Sequence, residues 1–174
     1  MEKLPKVEQP KEVAKLIQEE AKPTIMTTIK QEVKQELKSE INVRQEAFNL
    51  ITRFEWFHST PYWDSVRWAY WYWQPAPSKN STITKEDSEK FVYENIDKWI
   101  IQYWLKEYPQ WVQVALLSFR YNLWHLPSWT KRYLDRNDLK GLANQMQKYI
   151  YSEWEILNWL VKRRKAETNY FYNN

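Results

Sequence analysis

The chain has 174 residues, no Cys and two His, His58 and His125, which excludes a disulfide framework, a thiolate metal site and a His-built metal centre. Its 26 basic and 22 acidic residues leave a net charge of +4, a mildly basic balance that suits an anionic polymer such as nucleic acid or cell wall. No run approaches the ~20 apolar residues that a membrane span requires, so stable membrane insertion is not expected.

Residues 1–43 read as a separate charged segment. They hold eight Lys and eight Glu, so the whole net charge of +4 falls on residues 44–174. Pro5, Pro10 and Pro23 punctuate a stretch dominated by Lys, Glu and Gln, the composition of a flexible tether. Ile29, Val33, Leu37 and Ile41 recur at four-residue spacing, which places a short amphipathic helix there and admits a second role in docking or coiled-coil formation. The N-terminus lacks the apolar core of a secretory signal, so synthesis in the cytoplasm is expected.

Residues 44–174 have the pattern of a compact, mostly helical domain. Phe48, Ile51, Phe54 and Phe57 share one face and predict a helix over 44–57. The run 61–74 is aromatic and alternating, which reads as short strands in a hairpin. Thr84 is a helix N-cap, with Glu86 and Asp87 suited to the first turn, and the helix runs on towards Pro109. The stretch 111–123 is the most apolar and is expected to be the buried central helix. A short helix follows Pro127 and Ser128, Asp138 caps the next, and a last helix spans 153–171. The predicted class is α+β, with a small antiparallel hairpin lobe beside a helical body.

Glu55 ends the first predicted helix and Asp64 opens the hairpin region. Glycoside hydrolysis uses two carboxyl groups, one protonated for the leaving oxygen and one ionised to activate water or stabilise an oxocarbenium-like state. Spacing alone carries little here, because Glu and Asp are common at solvated positions.

Longer blocks carry more. The run ITRFEWFHSTPYWDSVRWAYWYWQ is similar to the catalytic segment of phage-type lysozymes, glycoside hydrolase family 24. That family has a helix ending Phe-Glu-Gly-Phe, then Tyr-x-Asp, then a hairpin closing in Gly-Tyr-Gly. Phe54-Glu55-Trp56-Phe57, Tyr62-Trp63-Asp64 and Trp71-Tyr72-Trp73 take those places. The run from Thr82 to Glu86 resembles the family's Thr-Ile-Thr helix start. Ala115-Leu116-Leu117-Ser118-Phe119-Arg120-Tyr121-Asn122-Leu123-Trp124 resembles its Ala-Leu-Val-Ser-Phe-x-Tyr-Asn-x-Gly. The run from Trp159 to Glu167 resembles Gly-Leu-Val-x-Arg-Arg-x-Ala-Glu. The blocks occur in family order across nearly all of 44–174.

The resemblance implies a lysozyme-like fold and a muramidase, an endolysin-like enzyme cutting the β-1,4 bond between N-acetylmuramic acid and N-acetylglucosamine in bacterial peptidoglycan. It implies Glu55 as general acid, Asp64 as the second carboxylate, and Tyr62, Tyr72 and Asn122 as substrate-binding groups. It also implies no cofactor, no metal, no nucleic-acid partner and a monomer, which reaches the wall through a membrane lesion or with a virion. The family's Thr six positions after the Asp is Tyr70 here, or Ala69 when counted back from the hairpin's end. That departure leaves a second reading, a non-catalytic glycan-binding or structural protein on the same scaffold. Arg163 or Arg164 is expected either to approach Glu55 or to form a solvated basic helix face.

Every family glycine in these blocks is Trp here: Trp56, Trp71, Trp73, Trp124 and Trp159. The chain has 12 Trp and 1 Gly, whereas about 12 Gly are usual for this length. UGA encodes glycine in some bacteria and their phages and tryptophan in other codes, so one codon accounts for the exchange. Tryptophan rows also serve as sugar- or base-stacking platforms, but that role does not explain why they fall on glycine positions. The chain as written is expected to be overfilled at the hairpin and beside Glu55.

Overall fold

The computed structural model describes residues 10–55, 59–60, 62–63, 68–70, 74–152 and 154–172, with side chains described from Met26 onward except at 62–63, 68–70 and 74–75. The chain divides into two compact units, residues 1–40 and 41–174. The division falls within one helix, α1 (Pro10–Thr52).

In the first unit, the segment expected to be a tether with one short helix is helical from Pro10. Its Lys, Glu, Gln, Leu and Ala residues are good helix formers, and Pro10 takes the first helical position, where a missing N–H costs nothing. The apolar stripe of Met26, Ile29, Val33 and Leu37 is about half exposed.

In the second unit the elements after α1 follow in chain order. They are β1 (Tyr62–Trp63), β2 (Trp68–Tyr70), β3 (Gln74–Pro75), α2 (Lys85–Gln102), a 3₁₀ turn (Leu105–Glu107) and α3 (Gln110–Leu123). Then come α4 (Trp129–Asp135), α5 (Leu139–Met146), β4 (Tyr151–Ser152), β5 (Glu155–Ile156) and α6 (Asn158–Tyr172). The predicted hairpin is a three-stranded antiparallel sheet in the order β1-β2-β3, with Tyr62 opposite Ala69 and Tyr70 opposite Gln74. The class is α+β.

The cap signals form as the residue types require. Thr84 Oγ1 accepts the Asp87 N–H at 3.0 Å, and Asp138 Oδ1 accepts the Gly141 N–H at 2.8 Å. Gly141, the chain's one glycine, lets this cap close. A Cβ there would meet the Asp138 carboxyl and lie 2.7 Å from Tyr133 Cε1.

The core gathers around α3. From Val112 to Phe119 every residue of that helix is buried. Val43, Ala47, Leu50 and Ile51 of α1, Val92, Ile96 and Trp99 of α2, and Leu142 and Met146 of α5 belong to the same core. Helix α6 packs along α3 and α5. A buried Leu, Ile or Phe contributes roughly 1.5–3 kcal/mol, so α3 holds this unit together.

Two boundaries differ from expectation. Helix α1 stops at Thr52, not near residue 57, and Glu55 lies in the bend that follows. The closing bonds are Arg53 N–H to Asn49 O and Phe54 N–H to Ile51 O, both 3.1 Å. The last helix begins at Asn158, and the β4–β5 hairpin occupies the residues expected to form its first turn.

Candidate active site

Helix α6 reverses the ordinary pattern of an amphipathic helix. Its inward face is Leu160, Arg163, Arg164, Glu167 and Thr168, at the i, i+3, i+4, i+7 and i+8 spacing of a core stripe. All five are buried, although three carry formal charges. A buried charge must be paired and hydrogen-bonded to persist, and the partners come from within α6, from α3 and from the bend after α1.

Arg163 is the hub. Its Nη1 donates to Glu55 Oε1 at 2.6 Å, its Nε to Glu167 Oε1 at 3.2 Å, and its Nη2 to the Ser118 carbonyl at 3.1 Å. Ser118 Oγ donates to Glu167 Oε1 at 2.7 Å. Arg164 Nη2 donates to Asn122 Oδ1 at 2.7 Å and to Glu167 Oε1 at 3.2 Å. Its Nε lies 3.0 Å from Glu167 Oε2, and its guanidinium sits 4.6 Å from the Phe119 ring centroid. Two guanidinium groups thus face the carboxyls of Glu55 and Glu167 in one cluster. Burial lowers the Arg164 pKa to about 10; attraction to Glu167 opposes that shift and the like charge of Arg163 adds to it. Arg164 therefore stays cationic at neutral pH.

Glu55 is less completely buried than the other charged members of this cluster. Its side chain is 9 % exposed, while those of Arg163 and Glu167 are fully buried. The arginine fixes the direction of the carboxyl.

The predicted site residues fall in different places. Glu55 and Arg163 are brought together; Arg163 and Arg164 are buried, so the alternative of a solvated basic face is set aside. Asn122 lies on α3 with its amide oxygen on Arg164. Tyr62 is in β1, where the backbone alone is described. Asp64, Tyr72, Trp56, Trp71 and Trp73 lie outside the described residues.

Sequence reasoning missed Ser118 and Glu167. A serine inside the most apolar helix, and a glutamate four residues after Arg163, were the available signals. Among the described residues, no group of His, Asp and Glu has the makeup of a metal site, and no helix is long and apolar enough to cross a membrane.

No family model and no curated protein matches the chain. Among solved structures it is similar to the active form of the P1 phage endolysin Lyz, with a TM-score of 0.63 and 17% identity over 86% of this chain and 93% of that one. At that identity the likeness is one of fold. The chain has a lysozyme-like α+β fold.

Proposed function

We propose that this protein is a peptidoglycan hydrolase of the phage-type lysozyme kind, glycoside hydrolase family 24, cutting between N-acetylmuramic acid and N-acetylglucosamine. The observation that carries the reading is the 2.6 Å pairing of Glu55 with the fully buried Arg163 at the end of α1. A fold shared with a phage endolysin supports it, as do the ordered sequence blocks.

Glu55 is the general acid in this reading. Its carboxyl, oriented by Arg163 at Oε1, supplies the proton for the leaving glycosidic oxygen. Bond breaking builds positive charge on the sugar ring, and Asp64 stabilises that charge or positions the attacking water. Tyr62, Tyr72 and Asn122 are the substrate-binding groups of this reading. The chain needs no cofactor, is made in the cytoplasm, and reaches the wall through a membrane lesion or with a virion.

A second reading keeps the scaffold and drops the chemistry. Tyr70, or Ala69 when counted back from the hairpin's end, takes the place of the family's water-holding Thr, so a non-catalytic glycan binder is its rival. A suspension of purified peptidoglycan separates the two. The chain is tested as written and with Gly at 56, 71, 73, 124 and 159. An enzyme clears the suspension; a protein that pellets with the wall in both forms and clears neither is a binder.

A further inference from the structure

Four non-glycine residues among those described have left-handed backbone: Trp104 at φ 54°, Trp124 at 68°, Asn137 at 52° and Trp154 at 71°. Asn tolerates this region because its short side chain bonds locally. A bulky residue there is an outlier, since its Cβ crowds the carbonyl oxygen. Three of the four are tryptophan.

Each of the three stands where local geometry requires glycine. Trp104 closes α2: the Tyr103 N–H returns to Trp99 O at 3.0 Å and the Trp104 N–H to Ile101 O at 3.2 Å, the pattern in which a left-handed residue ends a helix. Trp124 directly follows α3, at φ 68° and ψ −13°. Trp154 is the second residue of the two-residue loop set by the Ser152–Glu155 pairing, where Asn-Gly and Asp-Gly hairpins place glycine.

All three side chains are exposed, Trp104 at 72%, Trp124 at 44% and Trp154 at 98%. Trp99 and Trp129 are of another kind. Trp99 is buried, with the Arg120 guanidinium 3.8 Å from its ring centroid, and Trp129 Nε1 donates to Tyr149 Oη at 2.7 Å. Trp159 lies in α6 without a positive φ, so the backbone makes no demand there.

We propose that Trp104, Trp124 and Trp154 occupy positions that the gene specifies as glycine through UGA codons, whereas Trp99 and Trp129 are true UGG tryptophans. Trp124 was already a glycine position by family resemblance; Trp104 and Trp154 are assigned by backbone alone. The assignment rests on chain geometry and not on the hydrolase reading. It also bears on the cluster around Glu55, because Trp124 ends α3 two residues after Asn122, the partner of Arg164.

Two measurements test it. The coding DNA is expected to carry UGA at 104, 124 and 154 and UGG at 99 and 129; UGG at any of the first three overturns the assignment. Thermal unfolding of the full chain then compares W104G/W124G/W154G with W104A/W124A/W154A. Both variants remove the exposed indoles, but only glycine relieves a positive φ, so the glycine variant is expected to melt roughly 5–10 °C higher. Trp99→Gly and Trp129→Gly are expected to lower the melting temperature. Equal melting of the glycine and alanine triples, or a gain from glycine at 99 or 129, contradicts the division.

Discussion

Replacing Glu167 with alanine is expected to destabilise the second unit by about 3–5 kcal/mol, the cost of leaving a buried charge without its partner. Glu167 Oε1 receives Ser118 Oγ, Arg163 Nε and Arg164 Nη2, and Oε2 lies 3.0 Å from Arg164 Nε. Removing that carboxyl leaves two adjacent guanidinium groups in the core and, among the described residues, the Glu55 carboxyl to balance them. A domain is stable by about 5–15 kcal/mol in total, so the loss is a large share. It appears as a melting temperature lower by roughly 6–20 °C. Glu167→Gln keeps an oxygen acceptor for Ser118 but loses the charge, and is expected to fall between wild type and Glu167→Ala. An exposed ion pair gives the contrast: Asp97 with Arg44, at 2.7 Å and some two-fifths exposed, is worth no more than about 1 kcal/mol. A Glu167→Ala variant that melts with the wild type would mean that the buried cluster does not organise α6 against α3.

The largest effect on activity is expected at Glu55. Glu55→Gln retains an oxygen for Arg163 Nη1, preserving the 2.6 Å contact, but has no proton to give. General acid catalysis contributes about 10²–10⁴-fold, so peptidoglycan clearing is expected to fall by that factor while the melting temperature changes little. The split between rate and stability is the informative result. If clearing and melting fall together, Glu55 is a structural member of the Arg163 cluster. If neither falls, the proton comes from another residue.

Much of the helical body was legible in the residues. The caps at Thr84 and Asp138 and the strongly apolar run on α3 are local signals, and each forms at the predicted place. Helix α1 was harder to read: Val13, Leu16, Ile17 and Ala21 continue the apolar spacing N-terminally, but Pro10 and Pro23 among Lys, Glu and Gln made the stretch look like a tether. The β4–β5 hairpin was hidden for a related reason. Its loop carries Trp154 where a glycine would have signalled the turn, and the run read as the start of the final helix. Glu55 was identified by family pattern, and its pairing with Arg163 depends on three elements meeting in space. The burial of Arg163 and Arg164 contradicts what their charge suggests. Only the spacing from Leu160 to Thr168, read as a stripe regardless of residue type, could have shown that this face turns inward.

The central claim is that Glu55 serves a lysozyme-type cut in peptidoglycan, and the chemical identity of the new chain ends tests it most directly. Purified peptidoglycan is digested with the protein carrying glycine at 56, 71, 73, 104, 124, 154 and 159, then reduced with borohydride and hydrolysed. Cleavage after N-acetylmuramic acid leaves that sugar at the reducing end, so muramitol is expected, in amounts that collapse when Glu55→Gln is added. Glucosaminitol in its place, or no new reducing ends from a protein that still pellets with the wall, would contradict the account.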